Sequence, residues 1–398
     1  MTDRARAAAT EHFIPFSRRE IYRMLADEGA LGEDQPRFAQ LCELLQSLYH
    51  FEFHARLEAL KEAYFPFNPD REPRPGDTTD VTDEAELVRE LEYALERGNY
   101  TELPTSELGA ALEGEGLLPI SLDVSFEQYK WFRIFVRGRS RAEAVVKGLL
   151  PWSKRKVAFE LLDNVILVLR FRPDLAPSKH VAGTPGRIYL KCLRGVPVLD
   201  LEMMFPGGRP RMKLVHKLKV GVPASVGVIA TLYKLVLAPF VLHNAVSPFE
   251  AGLSLPLVGL LAGLGGYVFK AWNDYKNTVQ TFLNEITSSL YFRNSTNNQG
   301  VFHTLVDTAE EEETKEAVLG YYFLLDHGGL LTKEELDGRV EAWFADRHHC
   351  ELDFEVDDAL AKLTRHGLVT EEGDRYRAVP VGEALTLLDA RWDGIFAY

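Results

Sequence analysis

The chain has 398 residues, a formal charge of −14 and 46% hydrophobic residues. That composition excludes wholesale disorder and fibrous repeats and leaves room for two to four domains, at roughly 100–200 residues each. The acidic balance disfavours a global nucleic-acid binder. Cys42, Cys192 and Cys350 stand about 150 residues apart without any CxxC, so neither a disulfide framework nor a thiolate zinc site is expected.

The first 125 residues read as helical. Phe38, Leu41, Leu45 and Leu48 recur at helical spacing, and Leu44, Phe51 and Ala55 form a second such series. Proline-rich Phe65 to Pro75 reads as a loop. A second helix is expected from near Asp83, with Glu86 as its capping-box partner, to a stop at Gly98-Asn99. No cleavable signal is expected, because residues 1–30 hold no useful apolar run.

Residues 126–219 form a basic block. Between Lys130 and Lys219 there are 20 Lys/Arg against 6 Asp/Glu, a net of +14. Tyr129–Val136, Val165–Phe171 and Arg187–Leu193 read as strands of a small antiparallel sheet, and Ala142–Leu150 as a short helix cut by Pro151. The cationic face, with Arg137, Arg139, Arg141, Lys154, Arg155, Lys156, Arg211, Lys213, Lys217 and Lys219, suits anionic lipid headgroups. Each such residue contributes about 1 kcal/mol at a membrane surface. Trp131, Phe132 and Phe135 could instead stack nucleic-acid bases, a reading that strand aromatics seldom support.

Two apolar segments follow, 220–242 with Lys234 as its one charge and 251–269 with none. Either is long enough for the roughly 30 Å of a bilayer core, and basic flanks place both soluble portions in the cytoplasm. Lys234 would cost about 2.5–3.5 kcal/mol near a helix centre unless it snorkels. Gly259 and Gly263, with Gly266 one turn on, offer a small-residue face for the other segment or for a second copy of the chain. The expected fold class is therefore an α+β multidomain membrane protein with a transmembrane hairpin over 220–271. Its expected location is a membrane, with both soluble portions in the cytoplasm or the equivalent compartment.

Over 272–330 a helix carries Tyr275, Val279, Phe282, Ile286 and Leu290 on one face. A turn at Asn297–Gly300 then leads into a helix bearing Glu310 to Glu313. Adjacent carboxylates point in different directions, so they read as a solvated face with an ordinary Glu311–Lys315 pair. The last part, 331–398, reads as a winged helix. Thr332 and Glu335 make a capping box, helices 334–344 and 356–366 follow, Gly367 ends the second, and two strands flank Glu372-Gly373-Asp374. From Tyr321 onward 8 Lys/Arg face 17 Asp/Glu, which repels phosphates and favours a protein partner. His348-His349-Cys350 with Asp353 has metal-ligating residue types, but neighbours in sequence rarely converge on one ion. No nucleophile, phosphate-loop or dinucleotide motif is present, and no cofactor is expected.

Several stretches carry a family resemblance. They are Ser289–Asn294 through Asn297-Asn298-Gln299-Gly300-Val301, Ala309–Glu316 including Glu310, Glu311, Glu312, Lys315 and Glu316, and Tyr322–Leu325. Glu96–Tyr100, Phe135–Gly138, Leu199–Pro206 and Phe354–Leu360 support them. The chain in this respect resembles the transmembrane protein 143-like family. The resemblance implies a membrane protein with two hydrophobic segments, in a bacterial cytoplasmic membrane or, in a eukaryote, a mitochondrial one, and supplies no activity or catalytic residue. The sequence reading is a non-enzymatic membrane-anchored scaffold or adaptor contacting anionic lipid and a protein partner. Its rivals are a tethered DNA-binding regulator, a metal-dependent enzyme and an oligomeric transporter.

Overall fold

The computed structural model describes residues 4–6, 12–72, 81–113, 120–147, 154–175, 183–207, 209–212, 266, 269–270, 273, 276–277, 280 and 294–396. The chain forms two compact units. One comprises Met1–Glu107, Glu127–Val198 and Asn294–Tyr398, and the other Leu108–Phe126 and Leu199–Arg293.

In the first unit, α1 (Arg18–Glu28) opens on a capping box between Ser17 and Glu20 and ends at left-handed Gly29. The long α2 (Gln35–Tyr64) buries Phe38, Leu41, Leu45, Leu48, Tyr49, Phe53, Leu57, Leu60 and Tyr64. This single stripe is the one the 3.6-residue period demands. The second series does not form a buried face, because Leu44 is half-buried while Phe51 and Ala55 are exposed. Helix α3 (Val81–Arg97) follows, then the short α4 (Thr105–Glu113).

The strands are β1 (Arg4–Arg6), β2 (Thr101–Glu102), β3 (Ile120–Asp123), β4 (Tyr129–Lys147), β5 (Lys154–Phe171), β6 (Ile188–Pro197), β7 (Arg209–Met212) and β8 (Asn294–Asn297). In the first unit the antiparallel order is β1-β4-β5-β6-β8, with β2 also on β4. In the second unit β3 pairs antiparallel with β7. The helix expected over Ala142–Leu150 is instead the continuation of β4 to Lys147, paired residue by residue with Lys154–Phe159 of β5. Cross-strand pairing overrides the local helical preference of Ala-Glu-Ala. Gly138 is needed within β4. Its φ is +82°, and a Cβ there would stand 3.2 Å from the Phe13 ring.

The sheet packs Ile166, Val168, Ile188, Leu190 and Cys192 into one core with α2 and with α5 (Gln299–His327). Helices α2 and α5 run antiparallel. Tyr64 meets Phe302 edge-on at 5.0 Å near one end, and Phe38 stacks on Tyr321 at 6.4 Å near the other. Glu84 of α3 is tied to β4 and β5, taking hydrogen bonds from Lys130 (2.8 Å) and Trp131 (2.6 Å) and a close ion pair from buried Arg170. Burial alone would raise this carboxyl, but Arg170, Lys130 and Trp131 outweigh it and hold it at about 2. A depressed carboxylate adds stability that is present above its ordinary value of 4.5 and lost as pH falls through about 2. Glu84→Gln should cost about 2 kcal/mol at neutral pH and flatten the acid limb of a urea-unfolding series over that window. An unchanged limb would show that the anchor contributes nothing.

The C-terminal part continues from α5 through β9 (Leu331–Thr332), α6 (Lys333–His348), α7 (Val356–His366), β10 (Val369–Glu372), β11 (Arg375–Ala378) and α8 (Val381–Asp393). Strand order is β10-β11-β9. With the end of α5 as first helix, this is the helix-strand-helix-helix-strand-strand order of a winged helix. Thr332 and Glu335 form the capping box, and Gly367 caps α7 at φ 71°.

The membrane reading is corrected. Among the described residues no helix is long and apolar enough to cross a membrane. The fold is mixed helix and antiparallel sheet, and the membrane localisation inferred from the two apolar segments loses its support. The segments themselves, with Lys234, Gly259 and Gly263, fall almost entirely outside the described residues. Gly266 and Phe269 are helical and exposed. Of the helix expected over Tyr275–Leu290, none of the five apolar positions is described.

Candidate functional site

The acidic segment of α5 is not a solvated face. Glu310, Glu312, Glu313, Lys315 and Glu316 are all buried, Glu312 completely. An ionised side chain in such a place costs several kcal/mol unless it is paired and hydrogen-bonded. Each one is. Successive residues of a helix point about 100° apart, and α5 is surrounded, so each charge reaches a different neighbour.

Glu310 faces α2 and the start of α1, accepting from Arg18 Nη1 (3.4 Å) and meeting His50 Nδ1 (2.8 Å). The Arg18 backbone N–H donates to Glu311 (2.8 Å). Glu312 takes Lys315 Nζ (2.6 Å), the Ile14 N–H (3.1 Å) and, closely, Arg137 from β4. Lys315 gives its other protons to the carbonyls of Ile14 (2.7 Å) and Phe16 (3.1 Å), so all three donors are used. The expected Glu311–Lys315 pair is therefore replaced by Glu312–Lys315 and by carbonyls from the N-terminal arm.

Glu313 meets Arg97 of α3 and Lys362 of α7, both at 3.1 Å. Asp358 takes Arg97 (2.8 Å) and Lys362 (2.8 Å), and Glu316 takes Lys362 closely and Asn99 Nδ2 (3.2 Å). Burial pushes the Glu316 carboxyl up to about 7 against the pull of Lys362. Burial would lower the Lys362 ammonium, but Glu316, Glu313 and Asp358 outweigh it and raise it. Burial likewise opposes ionisation of Asp358, yet Lys362 and Arg97 lower it.

One ligand atom from each of Glu313, Glu316 and Asp358 lies within 4.8 Å of the others, a spacing that could hold a metal ion. The Lys362 ammonium contacts all three, so the cation these carboxylates hold is a lysine. The arrangement ties α3, α5 and α7 to one another. His348, His349, Cys350 and Asp353 do not converge. His348 packs edge-on against Trp343 (4.6 Å), Cys350 is buried and Asp353 meets His12 (3.1 Å).

The other expected residues are dispersed. Arg137 is committed to Glu312, and Arg139 to Glu107 (2.7 Å) and Glu160 (3.0 Å). Lys156 reaches Glu143 at 3.4 Å on the surface, and Arg141 is exposed. Lys154 and Arg155 open β5 and Arg211 lies in β7, while Lys213, Lys217 and Lys219 are outside the described residues. Trp131 donates to Glu84 and Phe135 is core, so neither is available for stacking bases. Asn294 and Asn297 bound β8, and Asn298 turns the chain into α5 at φ 48°. Its side chain joins Asp70 (2.9 Å) to the Leu190 N–H (3.3 Å). Gly300 packs on Thr296 in ordinary contact.

Two hollows share Gln46 and His50 in their linings, and Glu310 lines the first. One, of about 530 Å³, is lined by Arg18, Arg19, Gln46, His50 and Asp307 among others. The second, of about 380 Å³, is lined by Gln46, Ser47, His50, Phe51, His54 and Trp392. Sequence reading missed His50, Asp307, Arg97 and Lys362. The one local signal was Lys362, a lysine within the apolar stripe of Ala359, Leu360, Leu363 and His366.

Residues 162–300, just over a third of the chain, match the model of a family described as a protein of unknown function (DUF3754). This corrects the resemblance to the transmembrane protein 143-like family, to which the match gives no support. No solved structure matches the chain.

Proposed function

We propose that the chain is a non-enzymatic scaffold or adaptor whose C-terminal module binds a basic segment of a protein partner. The carrying observation is a crowd of carboxylates at the corner of α6 and α7. Asp337 stands among Glu334, Glu341, Asp353 and Asp357. Burial first and those charges second push its carboxyl up to about 6. Among the described residues its Oδ1 has no hydrogen-bond partner. A surface that stores like-charge repulsion is complementary to a cationic partner.

Nucleic acid is the poorer fit. The helix that reads DNA in winged modules corresponds to α7. Here Lys362 is buried, Asp358 is tied to Arg97 and Arg365 to Glu52 (3.1 Å). The turn between β10 and β11 exposes Glu371, Glu372 and Asp374.

Titrating the full chain against a fluorescent Lys/Arg-rich peptide and against duplex DNA tests this. Salt-sensitive peptide binding is expected, weakened about tenfold by Asp337→Asn with Glu341→Gln, and no DNA binding. Asp337→Asn should also stabilise the fold. The folded carboxyl titrates above its ordinary 3.8, so it lowers stability as pH rises from there to about 6. DNA binding at moderate salt, or no peptide binding, would overturn the reading.

A further inference from the structure

The exposed seam between α2 and α5 gathers metal-ligating side chains that the charge core does not use. His50 and His54 stand one helical turn apart on α2, and His303 and Asp307 one turn apart on α5. The helices run antiparallel, and the 2.8 Å contact of His50 with Glu310 fixes their register. From there toward the Tyr64–Phe302 contact, the next turn sets His54 opposite Asp307, with His303 beyond it. We propose that this seam is a binding site for a divalent transition-metal cation, with His50, His54 and Asp307 as ligands and His303 as a fourth donor.

Three observations support it. First, His50 has the arrangement of a metal-ligating imidazole. Its Nδ1 is engaged by a buried carboxylate, Glu310, itself held by Arg18. That contact orients the ring and leaves Nε2 as the free nitrogen of a largely exposed side chain. Second, Asp307 lacks a cation. Among the described residues no hydrogen bond or ion pair holds it, and it lines the first hollow beside His50. Third, there is space. The His50 ring borders both hollows, Asp307 lining the first and His54 the second.

Imidazole nitrogens with one carboxylate suit zinc, cobalt or nickel rather than calcium or magnesium, which take oxygen donors. The donor atoms of His50, His54 and Asp307 stand farther apart than a bound ion requires, so binding includes a closing movement of side chains. His54 and His303 are both exposed and can change rotamer to make it. Glu313, Glu316 and Asp358 cannot compete for the ion while Lys362 lies between them.

The test uses the full chain with Co(II), read by its visible d–d bands, and with Zn(II) by competition dialysis. One metal per chain is expected. His54→Ala and Asp307→Asn should each weaken binding by about 10–100-fold, and Zn(II) should raise the melting temperature of the unsubstituted chain only. Cys350→Ser with His349→Ala should leave affinity unchanged. His54 is exposed and makes no hydrogen bond among the described residues, so its replacement leaves folding intact, as circular dichroism will report. No binding at about 100 μM metal, or equal binding by the His54→Ala/Asp307→Asn double variant, would overturn the proposal.

Discussion

Lys362→Met should destabilise the chain by about 3–5 kcal/mol, a large part of the roughly 5–15 kcal/mol available to a folded domain. The ammonium is the shared partner of Glu313, Glu316 and Asp358, and methionine fills its volume without its charge. Arg97 still neutralises part of Glu313 and Asp358, while Glu316 keeps only Asn99. The loss should depend on pH. Glu316 titrates at about 7 when folded against an ordinary 4.5, so it holds its proton longer in the folded state. Such a carboxyl makes stability fall as pH rises between those values. Without Lys362 the folded value rises further, so the fall extends above pH 7. Adding Glu313→Gln and Glu316→Gln to Lys362→Met should restore most of the stability, because it removes the two buried carboxylates left without the ammonium while Arg97 and Asp358 still pair. Urea unfolding at pH 5 and pH 8 measures all of these quantities. A loss under 1 kcal/mol at pH 8 would show that the ammonium does not neutralise the triad.

The second large effect is local. Glu312→Gln should release the N-terminal arm, residues 12–17, at a cost of about 3–5 kcal/mol. The carboxylate is fully buried and holds Arg137, Lys315 and the Ile14 N–H together. Glutamine can accept at one oxygen, but its amide donors would face two buried cations that have lost their counter-charge. The arm depends on this point. Lys315 grips the carbonyls of Ile14 and Phe16, Phe13 lies over the Arg137 guanidinium at 4.2 Å and Phe16 stacks on Phe344 at 5.7 Å. Trypsin cleavage at Arg18 or Arg19 under native conditions should accelerate on the order of a hundredfold as the arm opens more often. Cleavage at the wild-type rate would mean that the apolar contacts hold the arm without the carboxylate.

The contrast between these residues and the ones legible in the sequence is physical. The stripe on α2, the capping box at Thr332 and the glycine stop at Gly367 could be read because each depends on residues within one or two turns. The β4 extension through Ala142–Lys147 could not, because its strand character comes from β5. The run Glu310–Glu313 reads as surface for a similar reason. A local pattern cannot show that Arg97, Arg137 and Arg18, 175 to 292 residues away, will arrive to pair with it. Spacing alone favours Glu311 for Lys315, whereas the arm's carbonyls draw that ammonium to Glu312. Lys362 is the visible anomaly, since a lysine on the buried face of an amphipathic helix needs an anionic partner. The apolar runs between 220 and 269 resemble membrane spans by length and composition, but no described helix meets both conditions together. His50, Asp307 and Asp337 are silent in sequence because each belongs to a cluster assembled from separate helices.

The charges of α5 are architectural, binding the N-terminal arm, the sheet and the C-terminal module into one cooperative body. Native-state hydrogen exchange of the full chain measures this directly. The Ile14 amide, the amides of 309–320 in α5 and those of α7 should open with the same free energy, and Lys362→Met should lower all of them together. Independent exchange of α7 and the module, unchanged by Lys362→Met while α5 stays protected, would contradict the account.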